Sequence, residues 1–169
     1  VAQVDRLAAM VNDVLRSGSV AEQALRQEKR LRVNKLVAEV VDDYTLLTKT
    51  RGMTFEVNAE PTTIRANRDM MRHVISNLVS NAVRHGDAGS VIKITCNQNE
   101  LAIENACTPL TKQQLQHIFD PFYRTSDGSK QHADSSGIGL YTVKMLLDTK
   151  GLDYDFTPHG RGMRFVVRF

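Results

Sequence analysis

Tryptophan is absent from this chain, cysteine occurs twice and proline four times. Aromatic residues are few, four tyrosines and six phenylalanines, so any cluster of rings is conspicuous. Cys96 and Cys107 make no CxxC pair and sit in no histidine cluster, which argues against a zinc site and for a reducing compartment. No run of about 18 apolar residues occurs, so no spanning helix is expected, and no signal peptide is visible. Charge of one sign is lacking too. The net charge is +3 at pH 7, with the basic residues scattered, which argues against a nucleic-acid partner. No repeat or low-complexity segment is found. What remains is ordinary for a soluble globular protein: 41% hydrophobic and 24% charged residues in 169. That is enough for one domain of about 100–150 residues and an extension. The chain starts without Met inside a helical pattern, as expected of a piece of something longer.

Val4, Leu7, Val11 and Leu15 fall at heptad-like spacing, a helix with one apolar seam over 1–15, ended by Ser17-Gly18-Ser19. Residues 20–30 are polar and read as a connector. From 33 an amphipathic helix carries Leu36, Val37, Val40, Val41, Tyr44 and Leu47 on one face, with Asn34 as N-cap and Gly52 as stop. "MTFEV" and "TTIRA" alternate as strands do. Asp69 opens a second long helix that Gly86 closes. Strands follow at 90–97 and 100–105, then a short helix at 111–117 and a polar loop at 125–136. A third helix covers 138–149, and a terminal hairpin turns through "TPHGRG". This order predicts an α+β fold, a two-layer sandwich with three main helices on one face of a mixed, mostly antiparallel sheet.

Three stretches could carry chemistry. On the helix at 69–85, Asn77, Asn81 and Arg84 recur at four and three residues beside His85, making a polar stripe next to the apolar one. Asparagine is a poor helix former. The stripe is either a solvated or inter-helix edge, or an edge facing a ligand. Amide oxygens are hard donors that suit Mg²⁺, and Arg84 suits phosphate. In "SSGIGLYTVK", Gly137 and Gly139 flank Ile138 where a helix begins, and backbone N–H groups there can approach an anion. A tight turn is the plainer reading of the same glycines. In "HIFDPFYR", Ile118, Phe119, Phe122 and Tyr123 form a hydrophobic plug, followed by Arg124, which could swing to a phosphate.

In this order and at these separations, Asn77-Leu-Val-Ser-Asn81-Ala, Phe119-Asp-Pro-Phe-Tyr-Arg124 and Gly137-Ile-Gly139-Leu resemble the N, F and second glycine boxes of bacterial two-component sensor histidine kinases. The resemblance implies the ATP-binding fold of the wider superfamily (Bergerat type), shared with gyrase, mismatch-repair and chaperone ATPases. It implies a division into 1–18, the end of a dimerisation and phosphoacceptor helical domain, 19–30, a connector, and 31–169, a catalytic ATP-binding domain. ATP and Mg²⁺ are the implied ligands, with Asn81 on the metal. The implied ATP-binding positions are Asn77, Asn81, Arg84, His85, Asn105, Pro109, Ser136, Gly137, Ile138, Gly139 and Leu140. Arg124 and Arg84 are the implied catalytic pair, and Phe119 and Phe122 would anchor the lid. Implied partners are the protein's own dimerisation domain in a homodimer and a response regulator, with this part cytoplasmic and the intact protein anchored in the cell membrane.

Two departures stand out. The family's first glycine box, Asp-x-Gly-x-Gly, falls on Asn105-Ala-Cys107-Thr-Pro109: the adenine-reading aspartate is Asn105 and both glycines are replaced. A neutral amide keeps an acceptor oxygen without the charge, which weakens a hydrogen bond by about 1 kcal/mol. Pro109 stiffens the loop. The family's phosphoacceptor histidine is followed by an acid and, a few residues on, a proline; none of His73, His85, His117, His132 and His159 has that context. Two other readings stay open: a degenerate nucleotide site acting by partner binding or by promoting regulator dephosphorylation, and another ATPase of the superfamily.

Overall fold

The structure is a computed structural model and describes residues 27–123 and 139–169. The seam helix read over 1–15 and the loop read over 125–136 lie outside the described residues. The chain runs β1 (Lys29–Arg32), α1 (Val33–Thr50), β2 (Thr54–Ala59), β3 (Thr63–Ala66), α2 (Arg68–His85), β4 (Val91–Cys96) and β5 (Glu100–Ala106). It continues through α3 (Lys112–His117), α4 (Gly139–Lys150), β6 (Asp153–His159) and β7 (Gly162–Arg168).

Five strands form one sheet in the order β2-β4-β5-β7-β6. Only β2 and β4 are parallel; the other neighbours are antiparallel. The mixed, mostly antiparallel sheet read from the sequence is therefore present. β1 pairs with β3 as a separate ribbon, Lys29 opposite Ala66. This strand was not expected: the connector read over 20–30 ends in it. Only Leu31 of its four residues is buried, so "KRLR" carries no alternating pattern and is a strand by pairing alone.

Side chains on β5 alternate across the sheet. Leu101 and Ile103 join the core under the helices. Glu100 and Glu104 stand on the other face, both half-buried. They lie opposite Arg168 and Arg164, and Arg164 Nε is 3.3 Å from Glu104. Arg168 reaches Asp155 at 2.6 Å. Such half-exposed pairs contribute little individually, but they make one face wettable and leave the other to the helices.

α2 lies between α1 and α4, which is why its buried stripe is wide: Met71, Val74, Ile75, Leu78, Val79 and Ala82, with Met70 and Val83 alongside. Asn67 caps it, its side chain accepting from Met70 N–H at 3.0 Å. Two details of α1 differ from the sequence reading. Asn34 is not its cap; its Oδ1 accepts from Thr62 N–H at 3.1 Å, beside the Val33 N–H to Thr62 carbonyl bond of 2.9 Å. Helix start and strand entry are thus tied by tertiary bonds, and Arg32 stands at the cap with no side-chain bond. Leu47 is exposed, whereas Thr48 is buried. The 3.6-residue period carries the buried stripe from Val40 and Tyr44 to Thr48, and Tyr44 OH meets Ser76 Oγ on α2 at 3.1 Å. Gly52 does end the turn, at φ +64°. Among the described residues no helix is long and apolar enough to cross a membrane.

Candidate functional site

The polar stripe of α2 lies at a boundary. Asn77, Asn81 and Arg84 are half-buried and His85 is exposed. Asn77 Nδ2 is buried and has no hydrogen-bond partner among the described residues, a costly state for an amide group, of the order of 1–3 kcal/mol. Its Oδ1 lies 4.0 Å from where a Cβ on Gly139 would stand. The first turn of α4 therefore passes close to Asn77. Leu140, in the same turn, packs against the core. Ser136, Gly137, Ile138 and Arg124 fall outside the described residues.

At the other end of the stripe, Gly86 closes α2 by donating its N–H to the Ala82 carbonyl at 2.9 Å. Its φ of −69° needs no glycine. Space does: a Cβ there would stand 2.6 Å from the Ala82 carbonyl, 2.7 Å from Met53 Cε and 3.6 Å from Asn105 Cβ. Asn105 thus lies directly against the end of α2. It is one of four buried polar residues among those described. The next peptide is tied as well, Asp87 N–H donating to the Ala106 carbonyl at 2.7 Å. So the residue counted to be the family's adenine reader is brought to the helix end that carries Arg84 and His85.

The loop after Asn105 is held rather than loose. Cys107 N–H donates to the Arg161 carbonyl at 3.2 Å, and Leu110 N–H points to Met163 Sδ at 3.5 Å. Pro109 is exposed. Burial pushes the Cys107 thiol up from its ordinary range, and the Asn105 side chain bonded to its sulfur opposes that. Cys107 is therefore a protonated thiol at neutral pH rather than a nucleophile. Among the described residues no three His, Cys, Asp or Glu side chains gather as a metal site.

The aromatic plug divides in two. Phe119 packs edge-on against Tyr154 and Phe165, with centroids 5.7 and 6.3 Å away. Tyr154 stacks on Phe165 and donates its hydroxyl to Asp148 of α4 at 2.9 Å. Phe122 does not share this seat: it is 70% exposed and has φ of +65°, a conformation costing a non-glycine residue about 1 kcal/mol or more. Of the two expected anchors, only Phe119, itself half-buried, packs against the core. His117 Nδ1 meets Asp120 at 2.9 Å.

One residue of this region was not legible in the sequence. Arg51, just past α1, donates from Nη1 to the carbonyls of Val83 and Arg84, the latter at 3.1 Å. The only local signal is a basic residue beside the Gly52 stop; its targets lie far along the chain.

Comparison with known proteins agrees with this geometry. The family described as "Histidine kinase-, DNA gyrase B-, and HSP90-like ATPase" matches residues 66–169. The chain is 30% identical over 166 residues to the sensor histidine protein kinase HK06 of Streptococcus pneumoniae serotype 2, covering 98% of this chain and 37% of that protein. It is 30% identical over 170 residues to the sensor histidine kinase CusS of Escherichia coli K12, covering 98% and 35%. The chain thus spans little more than a third of the length of these relatives. In fold it resembles the Acinetobacter baumannii histidine kinase AdeS, with a TM-score of 0.73 at 22% identity over 99% of this chain and 79% of that one. The chain belongs to the histidine kinase-, DNA gyrase B- and HSP90-like ATPase family, and its similarity within that family is to the sensor histidine kinases.

Proposed function

We propose that this chain is the ATP-binding catalytic part of a sensor histidine kinase. In the intact protein it would position the γ-phosphoryl of ATP for transfer to a histidine on the dimerisation domain, and from there to a response regulator. The division into helical end, connector and catalytic domain at 18 and 30 belongs to this reading, as do a homodimer and a membrane anchor elsewhere in the protein.

The observation that carries it is the placing of α2's polar stripe. Asn105 and Gly86 bound the stripe at one end and Gly139 at the other, and Asn77 within it keeps a buried amide nitrogen with no partner among the described residues. A polar edge framed in this way suits a polar occupant. Asn105 would read the base, its oxygen accepting the adenine amino proton. Arg84 would face phosphate, and His85 would lie beside the nucleotide. Asn81 would hold Mg²⁺ through its amide oxygen, and one protein ligand suits an ion that keeps several waters and shares phosphate oxygens. Mg²⁺ so held supplies neutralisation of phosphate charge. Arg124, Ser136, Gly137, Ile138, Leu140 and Pro109 complete the proposed set. The domain's contribution is placement and charge, with little covalent chemistry of its own.

A second reading is favoured by the loop after β5. With Cys107 N–H tied to the Arg161 carbonyl and the turn stiffened at Pro109, the site could be a decayed one that serves partner binding instead. Calorimetry separates the two. Mg-ADP and Mg-ATP are expected to give a saturable heat and to raise the melting temperature. No heat and no shift at millimolar nucleotide would sink the kinase reading. Asn81→Ala is expected to remove the Mg²⁺-dependent part of the affinity while melting stays cooperative; unchanged affinity would overturn the role given to Asn81.

A further inference from the structure

We infer that Arg51 is a positioning residue of the nucleotide site. It acts through the backbone, its guanidinium donating to the carbonyls of the helix turn that carries Arg84 and His85. The inference rests on the nucleotide-binding reading given above.

The last four carbonyls of an α-helix have no partner within the helix, and the helix dipole leaves partial negative charge there. In α2 these belong to Ala82, Val83, Arg84 and His85. Gly86 N–H takes the first. The Arg51 guanidinium takes the next two from one nitrogen. A cation at that end is favourable by charge as well as by hydrogen bonding. Arg51's own backbone is held from both sides: its N–H donates to the Thr48 carbonyl at 3.1 Å, and its carbonyl accepts from Gly89 N–H at 3.0 Å. Next to it, Met53 N–H donates to the Thr48 carbonyl at 2.9 Å and its methyl group packs under Gly86. Arg51 thus joins the end of α1, the end of α2 and the 86–90 turn. That turn reaches the base-reading strand through the Asp87 N–H to Ala106 carbonyl bond.

Two consequences distinguish positioning from plain stabilisation. If Arg51 acts through Arg84, removing it should matter to phosphate binding only while Arg84 is present. A lysine, whose single ammonium has three donors, should also replace it in part. Affinity for Mg-ADP would be measured by calorimetry on the wild-type chain and on Arg51→Met, Arg51→Gln, Arg51→Lys, Arg84→Ala and the Arg51→Met/Arg84→Ala pair, well below each melting temperature. Arg51→Met is expected to weaken binding by about fivefold, the factor that one lost hydrogen bond of ordinary strength corresponds to. Arg51→Lys should stay within about twofold of wild type, and in the Arg84→Ala background the Met change should add less than about twofold. Should Arg51→Met fail to fold, Arg51→Gln takes its place, with a loss of about threefold or more expected. Equal affinity of the Met or Gln variant and wild type, additive losses, or a Lys variant as weak as Met would each overturn the inference. Failure of the wild-type chain to bind Mg-ADP is a different result: it overturns the nucleotide reading itself, and the role of Arg51 with it.

Discussion

At Asn105 a neutral amide stands buried at the end of β5, against Gly86 and near the Cys107 thiol. The proposed base contact depends on what that amide can offer. Asn105→Asp would restore a charged acceptor, and a thiol held protonated by burial can donate to the new carboxylate as it stands. The substitution is expected to tighten Mg-ADP binding by about fivefold, roughly 1 kcal/mol. It should also lower the melting temperature, because the empty site must bury a charge. Calorimetry and thermal melting on the same samples check both; unchanged or weaker binding would mean that the base is held by something else. Asn105 was picked out as a candidate only by its place between two stronger motifs, since nothing in its immediate sequence marks it. Arg51 was not legible at all, because its partners are carbonyls of another helix, and a carbonyl is the same in every residue.

Among the elements, the helices were read well because their apolar stripes are long. α2 begins one residue before the Asp69 expected to open it, and Thr111 caps α3 through a capping box, its side chain and that of Gln114 each accepting from the other's backbone N–H. β1 escaped notice because a four-residue ribbon strand has too few positions to show a period. The cap of α1 was misread because Asn34 bonds across space to Thr62, while capping rules see only neighbours in sequence. Gly86 was read correctly as a stop, and at φ −69° it is crowding that excludes a side chain there. Gly162 is tighter still. A Cβ there would stand 1.8 Å from the Asn105 carbonyl oxygen and 2.8 Å from Ala106 Cα, both backbone. Gly162→Ala is expected to part β5 from β7 at the site, costing about 3 kcal/mol or more. Gly86→Ala, where one of the obstructing atoms is a flexible methionine tip, should cost less. Urea denaturation of both variants checks the order; the reverse order would mean that Gly162 has room to shift.

For the whole molecule, the helix layer on one side and the charged ladder on the other set where protonation matters. His73 of α2 is half-buried, and burial lowers its pKa, with Arg72 acting the same way and Asp69 opposing. The unfolded chain then binds this proton at a higher pH than the folded one. The stability linked to His73 is whole above its unfolded value, near 6.5, and is lost as pH falls from there toward the lower folded value. His73→Gln should flatten that loss, read as the difference in urea midpoint between pH 7.5 and pH 5 for variant and wild type. Identical differences would mean that His73 protonates alike in both states. The parallel pairing of β2 with β4 has a consequence in time rather than in space. Strands running the same way need a long connection between them, and here it is the segment 60–90, which contains all of α2. The sheet cannot shut without drawing that helix in, and the chain entropy of closing so long a loop comes due before its contacts form. The helix that bears the polar stripe is thus ordered in the same slow event that completes the sheet. Probes placed on the two should report a single refolding rate.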